Sequence, residues 1–410
     1  MFLKNSGQLP LRIYIFLTHG HDQAVHPTYF EQIIQLLNVH SGRWRHLEVH
    51  LPYALASQLT GAFENSHSQL EDFRILGYFG NIIDDEMHPT TSRPLWRMKS
   101  GRPSPLRVEI SGFRLRCVEM DWNNITEVTF TSLYADECLE LFRRAPRTIS
   151  CTLFDIIGGY DDDLPESGCP VPTLSSLKKL KTTFSSEISE PHVMNRICAP
   201  ALTHLSVTGN GKYDYIERLI DRSKCQLSTL NLGTEDYGVV DGLDISSLAH
   251  KTQRLKSLSV YSLLYKDLRT LLEHLAKTSE PLPYAESDLA PGCFPRLSTL
   301  ECAAIEDGSS FPWSIIPTIF PPSDVAVGTR YRPFRALGIT IYIGHDETSD
   351  YIDPKTVHQL LGLVGRGVWL RIYNWATGED FIEASCKYHD IEIPEGLDFI
   401  DSEIPIPVFD

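Results

Sequence analysis

Thr18, His19, Gly20, His21 and Asp22 stand at the end of an apolar stretch. Two imidazoles and a carboxylate leaving a strand together are donors that hold zinc in metal-dependent hydrolases, where bound water becomes a nucleophile near neutral pH. Those enzymes space the run as His-x-His-x-Asp-His. Here Asp22 follows His21 directly, the next imidazole is His26, and no second His-rich cluster completes a ligand set. The spacing fits a solvated loop better, which leaves a metal-dependent hydrolase using His19, His21 and Asp22 as the alternative reading.

Other chemically able residues fail in similar ways. Asp161, Asp162 and Asp163 lack the alternating ligands and terminal Glu of a calcium loop. His345, Asp346 and Glu347 offer acid–base groups but read as an exposed turn. Gly209, Asn210, Gly211 and Lys212 resemble the end of a phosphate loop, yet Ser206 stands where the first Gly is needed and Tyr213 where Ser or Thr would hold magnesium. No G-x-S-x-G elbow occurs, and the nine cysteines contain no C-x-x-C pair. The expectation is a protein that is not an enzyme and uses no metal or cofactor. Unpaired cysteines of this kind fit reduced thiols, hence a cytoplasmic or nuclear location.

The 410 residues are 42% hydrophobic and 22% charged, enough to bury a large core. Lys plus Arg minus Asp plus Glu gives 37 − 53 = −16, which argues against nucleic acid as a partner. The early stretch Leu9 to Leu17 is broken by Pro10 and Arg12 and reads as a strand, and no long uncharged apolar run suggests a membrane partner.

What must position any functional group is a recurring apolar-x-x-apolar-x-apolar pattern. It appears as Trp44, Leu47, Val49; Leu70, Phe73, Ile75; Ile125, Val128, Phe130; Leu202, Leu205, Val207; Leu227, Leu230, Leu232; and Leu255, Leu258, Val260. Weaker copies are Leu106, Val108, Ile110; Thr148, Cys151, Leu153; Leu177, Leu180, Thr182; Leu297, Leu300, Cys302; and Leu337, Ile339, Ile341. From Leu205 to Leu230 is 25 residues and from Leu230 to Leu258 is 28, inside the span of leucine-rich repeats. Alternation puts the last two apolar side chains of each copy on one face of a short strand, which cannot be hidden unless strands stack.

Between strands the apolar period becomes helical: Phe30, Ile33, Ile34, Leu37; Cys138, Leu141, Phe142, Ala145; Ile216, Leu219, Ile220; and Leu268, Leu271, Leu272, Leu275. The expected fold is α/β, a leucine-rich-repeat solenoid (horseshoe) with a curved parallel sheet and outer helices. Residues 77–105, 155–173, 279–295 and 304–334 read as long irregular stretches. Residues 1–334 form the irregular solenoid, and residues 335–410 the last repeat and C-terminal cap, with Asp353 capping a helix that starts at Pro354 and ends at Gly365.

On this reading the residues between the inward ones face the concave side. The candidate partner-binding residues are His46, Glu48, Glu127, Thr129, Lys179, Lys181, His204, Ser206, Thr229, Asn231, Ser257 and Tyr261, with Asp72, Arg74, Thr299 and Glu301 on the same face. Cys151 and Cys302 fall at inward positions and read as core.

Three phrases carry a family likeness: Ser41-Gly42-Arg43-Trp44-Arg45-His46-Leu47, Glu137 to Pro146, and Ala199-Pro200-Ala201-Leu202-Thr203-His204-Leu205. Together with the opening Leu3 to Leu11, they resemble the leucine-rich-repeat region of mushroom-type fungal F-box proteins, over most of the chain. The resemblance implies a substrate-recognition subunit of a cullin-type ubiquitin ligase whose repeats hold a protein target. The sequence opens on the repeat region, so the F-box itself is expected to be absent, and a ligase adaptor is expected as partner only if an F-box precedes Met1.

Overall fold

The computed structural model describes residues 7–16, 27–51, 53–61, 69–77, 96–98, 102–158, 171–209, 213–234, 245–277, 294–321, 332–342 and 351–394. The chain divides into two compact units, Met1–Leu202 and Thr203–Asp410. Both are α/β, with parallel strands hydrogen-bonded in chain order and helices in the connections.

The first unit contains β1 (Leu11–Phe16), β2 (Trp44–His50), β3 (Asp72–Leu76), β4 (Arg107–Ser111), β5 (Glu127–Thr131), β6 (Ser150–Ile156) and β7 (Lys179–Phe184), with helices α1 (Pro27–Val39), α2 (Ala135–Arg144) and α3 (Ser189–Met194). Ile13, Leu47, Phe73, Val108, Val128, Cys151 and Leu180 are paired neighbour to neighbour across its strands. A second row, Ile15 to Thr182, runs two residues further along each strand, and both rows are buried. One-sided burial explains the register: slipping a strand by a single residue would send its apolar side chains to the other face.

The second unit repeats the scheme with β8 (His204–Gly209), β9 (Thr229–Thr234), β10 (Ser257–Leu264), β11 (Thr299–Ile305), β12 (Ala336–Tyr342) and β13 (Trp369–Asn374). Its helices are α4 (Asp214–Ser223), α5 (Ile245–Lys251), α6 (Tyr265–Lys277), α7 (Pro354–Gly365) and α8 (Phe381–His389). Here the buried row is Leu205, Leu230, Leu258, Leu300, Leu337 and Leu370.

A backbone step accompanies these rows. The carbonyl just before a strand accepts two amides from the start of the next: Thr126 O from Ile149 and Ser150 (2.8 and 3.0 Å), Thr203 O from Ser228 and Thr229 (2.8 and 3.1 Å), and Ser228 O from Lys256 and Ser257 (2.8 and 3.1 Å). The hydroxyls of Thr126, Ser228 and Ser298 donate to the same preceding carbonyls, which suits the polar type after the leading apolar residue. The polar slot thereby adds a third donor to a carbonyl that two backbone amides already reach.

Helices α2, α4 and α6 bury the faces their periodicity marks, including Cys138, Leu141, Phe142, Ile216, Leu219, Leu268 and Leu272. Asp353 accepts from the Thr356 amide at 3.0 Å, capping α7 as expected. Three expectations need correction. In α1 Ile34 is buried while Ile33 is exposed. Leu106 is exposed, and Pro105 fills the leading slot before Val108. Residues 77–105 are not wholly loop, because Trp96–Arg97 pairs with Val118–Glu119 and the buried Trp96 stacks on Phe73 at 4.3 Å. An isolated Trp in a Pro-rich stretch carries no period that marks it as core.

Leu180→Asp places a carboxylate on the buried row and is expected to abolish cooperative unfolding. Lys179→Asp, one residue away on the exposed face, should change stability by no more than about 0.5 kcal/mol; equal melting temperatures for the pair would contradict the inside–outside assignment. A second prediction concerns Asp380, whose Oδ1 caps α8 by accepting from Ile382 (2.8 Å) and Glu383 (3.1 Å) while Oδ2 is buried without a partner. Burial outweighs those amides and pushes the carboxyl up to about 6. The folded chain therefore holds this proton to higher pH than the unfolded one, so its contribution to stability is full below pH ~4 and is lost as pH rises through 6. In urea unfolding between pH 4 and 7, Asp380→Asn should lack that part of the decline, and parallel curves would contradict the assignment.

Candidate functional site

The side chains between the buried ones share the opposite face of each sheet. In the first unit, Arg12, His46, Asp72, Arg107, Glu127, Ser150 and Lys179 are register neighbours, as are Tyr14, Glu48, Arg74, Glu109, Thr129, Thr152 and Lys181. Acids and bases meet across strands β2 to β4. Asp72, whose side chain is 8% exposed, has Oδ2 3.1 Å from His46 Nδ1 and 3.2 Å from the Arg107 guanidinium, and Oδ1 3.4 Å from Arg74 Nε. Glu48 lies 3.1 Å from His50 Nε2 and 3.5 Å from His46 Nε2. Arg74 continues the network to Glu109 at 3.5 Å. Tyr14 and Phe16, both exposed, cover the two imidazoles with ring centroids 4.7 and 4.4 Å away.

An imidazole held by a carboxylate forms part of a nucleophilic triad when its outer nitrogen meets substrate. His46 does not present itself that way, since Nε2 is buried and faces Glu48. The contact instead fixes the ring beside Asp72. At the other end of the face, Lys179 and Lys181 are exposed, and neither forms an ion pair among the described residues. Lys181 Nζ stands 5.3 Å from the Phe154 ring centroid, a cation–π distance.

The second unit's face differs in kind. His204, Thr229, Ser257, Thr299, Ala336 and Trp369 form one row, and Ser206, Asn231, Ser259, Glu301, Gly338 and Arg371 the next. Most are small and uncharged. Tyr261 lies in the register irregularity between Val260 and Leu263, where Ser262 adopts φ 70°, and its hydroxyl donates to Glu301 at 3.2 Å.

The twelve candidate residues thus fall on the polar faces, six in each unit, although His46 and Thr229 are buried within them. Sequence reasoning missed Tyr14, Phe16, Trp369 and Arg371. The alternation Ile13, Ile15 and Leu370, Ile372 was the available signal, but these strands lack the leading apolar residue of the repeat. His19, His21 and Asp22 lie outside the described residues, as do Asp161 to Asp163 and His345 to Glu347. Among the described residues, no group of three or more His, Cys, Asp and Glu is placed to hold a metal ion. Burial pushes the Cys151 and Cys302 thiols well up, leaving them protonated core side chains. No described helix is long and apolar enough to cross a membrane.

Geometry therefore defines a parallel α/β protein whose strands carry a polar face in each unit. Compared with known proteins, the sequence matches no family model and no curated sequence.

Asp72→Ala would strand His46, Arg74 and Arg107 without their shared acceptor. Urea unfolding should record a loss of about 1–3 kcal/mol; wild-type stability would show that the network is not held together at Asp72.

Proposed function

We propose that this chain is a non-catalytic protein-interaction scaffold built from leucine-rich repeats, with its partner held on the polar sheet faces. The observation that carries the reading is the division of each sheet into a fully apolar row and an ordered polar row. One face is committed to the core. The other keeps charged and aromatic groups such as Lys179, Lys181 and Tyr14 in fixed register and open to contact. The recurrent carbonyl step before successive strands supports a repeat architecture, because one local arrangement returns with each unit of sequence. Rigid strands carrying exposed mixed side chains offer a large preorganised surface, which lowers the ordering cost of binding a macromolecule. The resemblance to the repeat region of F-box proteins extends the proposal: the partner would be a target presented to a cullin-type ubiquitin ligase.

Native affinity isolation tests this directly. A specific protein should be recovered with the wild-type chain and lost with Lys179→Glu/Lys181→Glu, while Glu140→Lys on the exposed side of α2 should retain it. No recovered protein, or equal recovery by both variants, would overturn the scaffold reading. Recovery of a ligase adaptor by a chain extended upstream of Met1 would join the scaffold to ubiquitin transfer.

A further inference from the structure

Two of the acids buried in the first unit have cationic neighbours. Asp72 has the guanidinium groups of Arg74 and Arg107, and Glu137 receives Arg114 Nε at 2.7 Å. Glu301, in the middle of the second unit's polar row, has none. It is 7% exposed, and its bonds come from two hydroxyls, Tyr261 at 3.2 Å and Ser259 at 3.4 Å, both to Oε2. Among the described residues no Lys, Arg or His forms an ion pair with it. Arg371, two strands away in the same row, has its guanidinium 4.6 Å over the Tyr373 ring. A carboxylate removed from water with no counter-charge is costly, so its retention on a face that is not core calls for a reason.

Its surroundings supply one. Gly338 follows Glu301 in register, and a Cβ there would stand 3.3 Å from the Trp369 ring and 3.6 Å from Glu301 Cγ. On the other side, the Tyr261 ring passes 3.5 Å from where a Gly233 Cβ would be. Two glycines thus let two aromatic rings close on the row to either side of the carboxylate. Asn231, two strands before Glu301 in that row, has a buried Oδ1 with no hydrogen-bond partner. Burial, and then the Glu301 charge, push the Tyr261 phenol up to about 12, so it stays a donor at neutral pH. The site holds acceptors in need of donors, a negative charge in need of a positive one, and flat rings at its edges.

We propose that Glu301, framed by Tyr261 and Trp369, receives the guanidinium of an arginine side chain presented by a protein partner. A guanidinium carries five N–H donors in a plane that stacks on aromatic faces, whereas an ammonium is a compact, strongly hydrated charge. The chain's net charge of −16 draws basic segments toward it. This inference rests on the scaffold reading and names the chemistry its second face selects.

The test titrates the full chain with acetyl-Gly-Gly-Arg-Gly-Gly-amide and with the same peptide carrying citrulline, which keeps the shape and removes the charge. Indole N–H signals are followed by NMR, with that of Trp369 identified by Trp369→Phe. The arginine peptide should shift the Trp369 signal, the citrulline peptide should not, and Glu301→Gln should weaken binding at least tenfold. Equal binding of the two peptides, no shift with either, or undiminished binding to Glu301→Gln would overturn the proposal. Displacement by spermidine at equal concentration would make this a small-amine site and overturn the assignment to a protein partner. The peptide comparison on the wild-type chain needs no variant to fold. Lys179 and Lys181 lie in the other unit, so a negative titration beside a partner still captured through them sinks the arginine site alone. Failure to capture any partner sinks the scaffold reading.

Discussion

Leu205, Leu230, Leu258, Leu300, Leu337 and Leu370 meet their neighbours across successive parallel strands, and everything else in the second unit follows from keeping them in line. Each buried leucine is worth about 1.5–3 kcal/mol relative to exposure, and the value is realised only if the adjacent strand supplies the next one. The paired amides on the carbonyls Thr203 O, Ser228 O, Lys256 O and Ser298 O hold the start of the register, and the apolar row holds its direction. The first unit obeys the same constraint with mixed side chains, Phe73 and Cys151 standing in the row where the second unit has leucine.

Fixing one face decides the other, but not its chemistry. In the first unit, neighbouring strands bring Asp72 to His46, Arg74 and Arg107, so charge is mostly settled inside the molecule until the exposed lysines of β7. On the second unit's polar rows, among the described residues, Glu301 has hydroxyls but no cation, amid small residues and two large rings. A partner meeting the first face finds separated patches of charge, whereas one meeting the second finds a single point that rewards a precisely directed donor.

Much of this was legible in the residues. The apolar-x-x-apolar-x-apolar copies mark the buried pair of most strands correctly, even where Thr182 or Cys302 replaces an aliphatic side chain, because period two survives such substitutions. The pattern misleads where its leading slot is filled by an unexpected type: Pro105 does the work assigned to Leu106, and Phe334 stands buried three residues ahead of Leu337. It says nothing of Trp96, which reaches the core from an aperiodic stretch. The polar face was readable residue by residue but not as a network, since the meeting of His46 with Asp72, or Tyr261 with Glu301, depends on strand register across 26 and 40 positions. The isolation of Glu301 is a property of what surrounds it, and Trp369 and Arg371 belong to a strand inside the stretch 335–410 that the pattern marks only as last repeat and cap.

Methyl–methyl nuclear Overhauser effects on a Leu-labelled sample measure the line of leucines most directly. Stacked parallel strands lie about 4.8 Å apart, so Leu230 should connect to both Leu205 and Leu258, and Leu300 to both Leu258 and Leu337. Connections from Leu230 that skip these neighbours would contradict the shared buried row and the polar faces that depend on it.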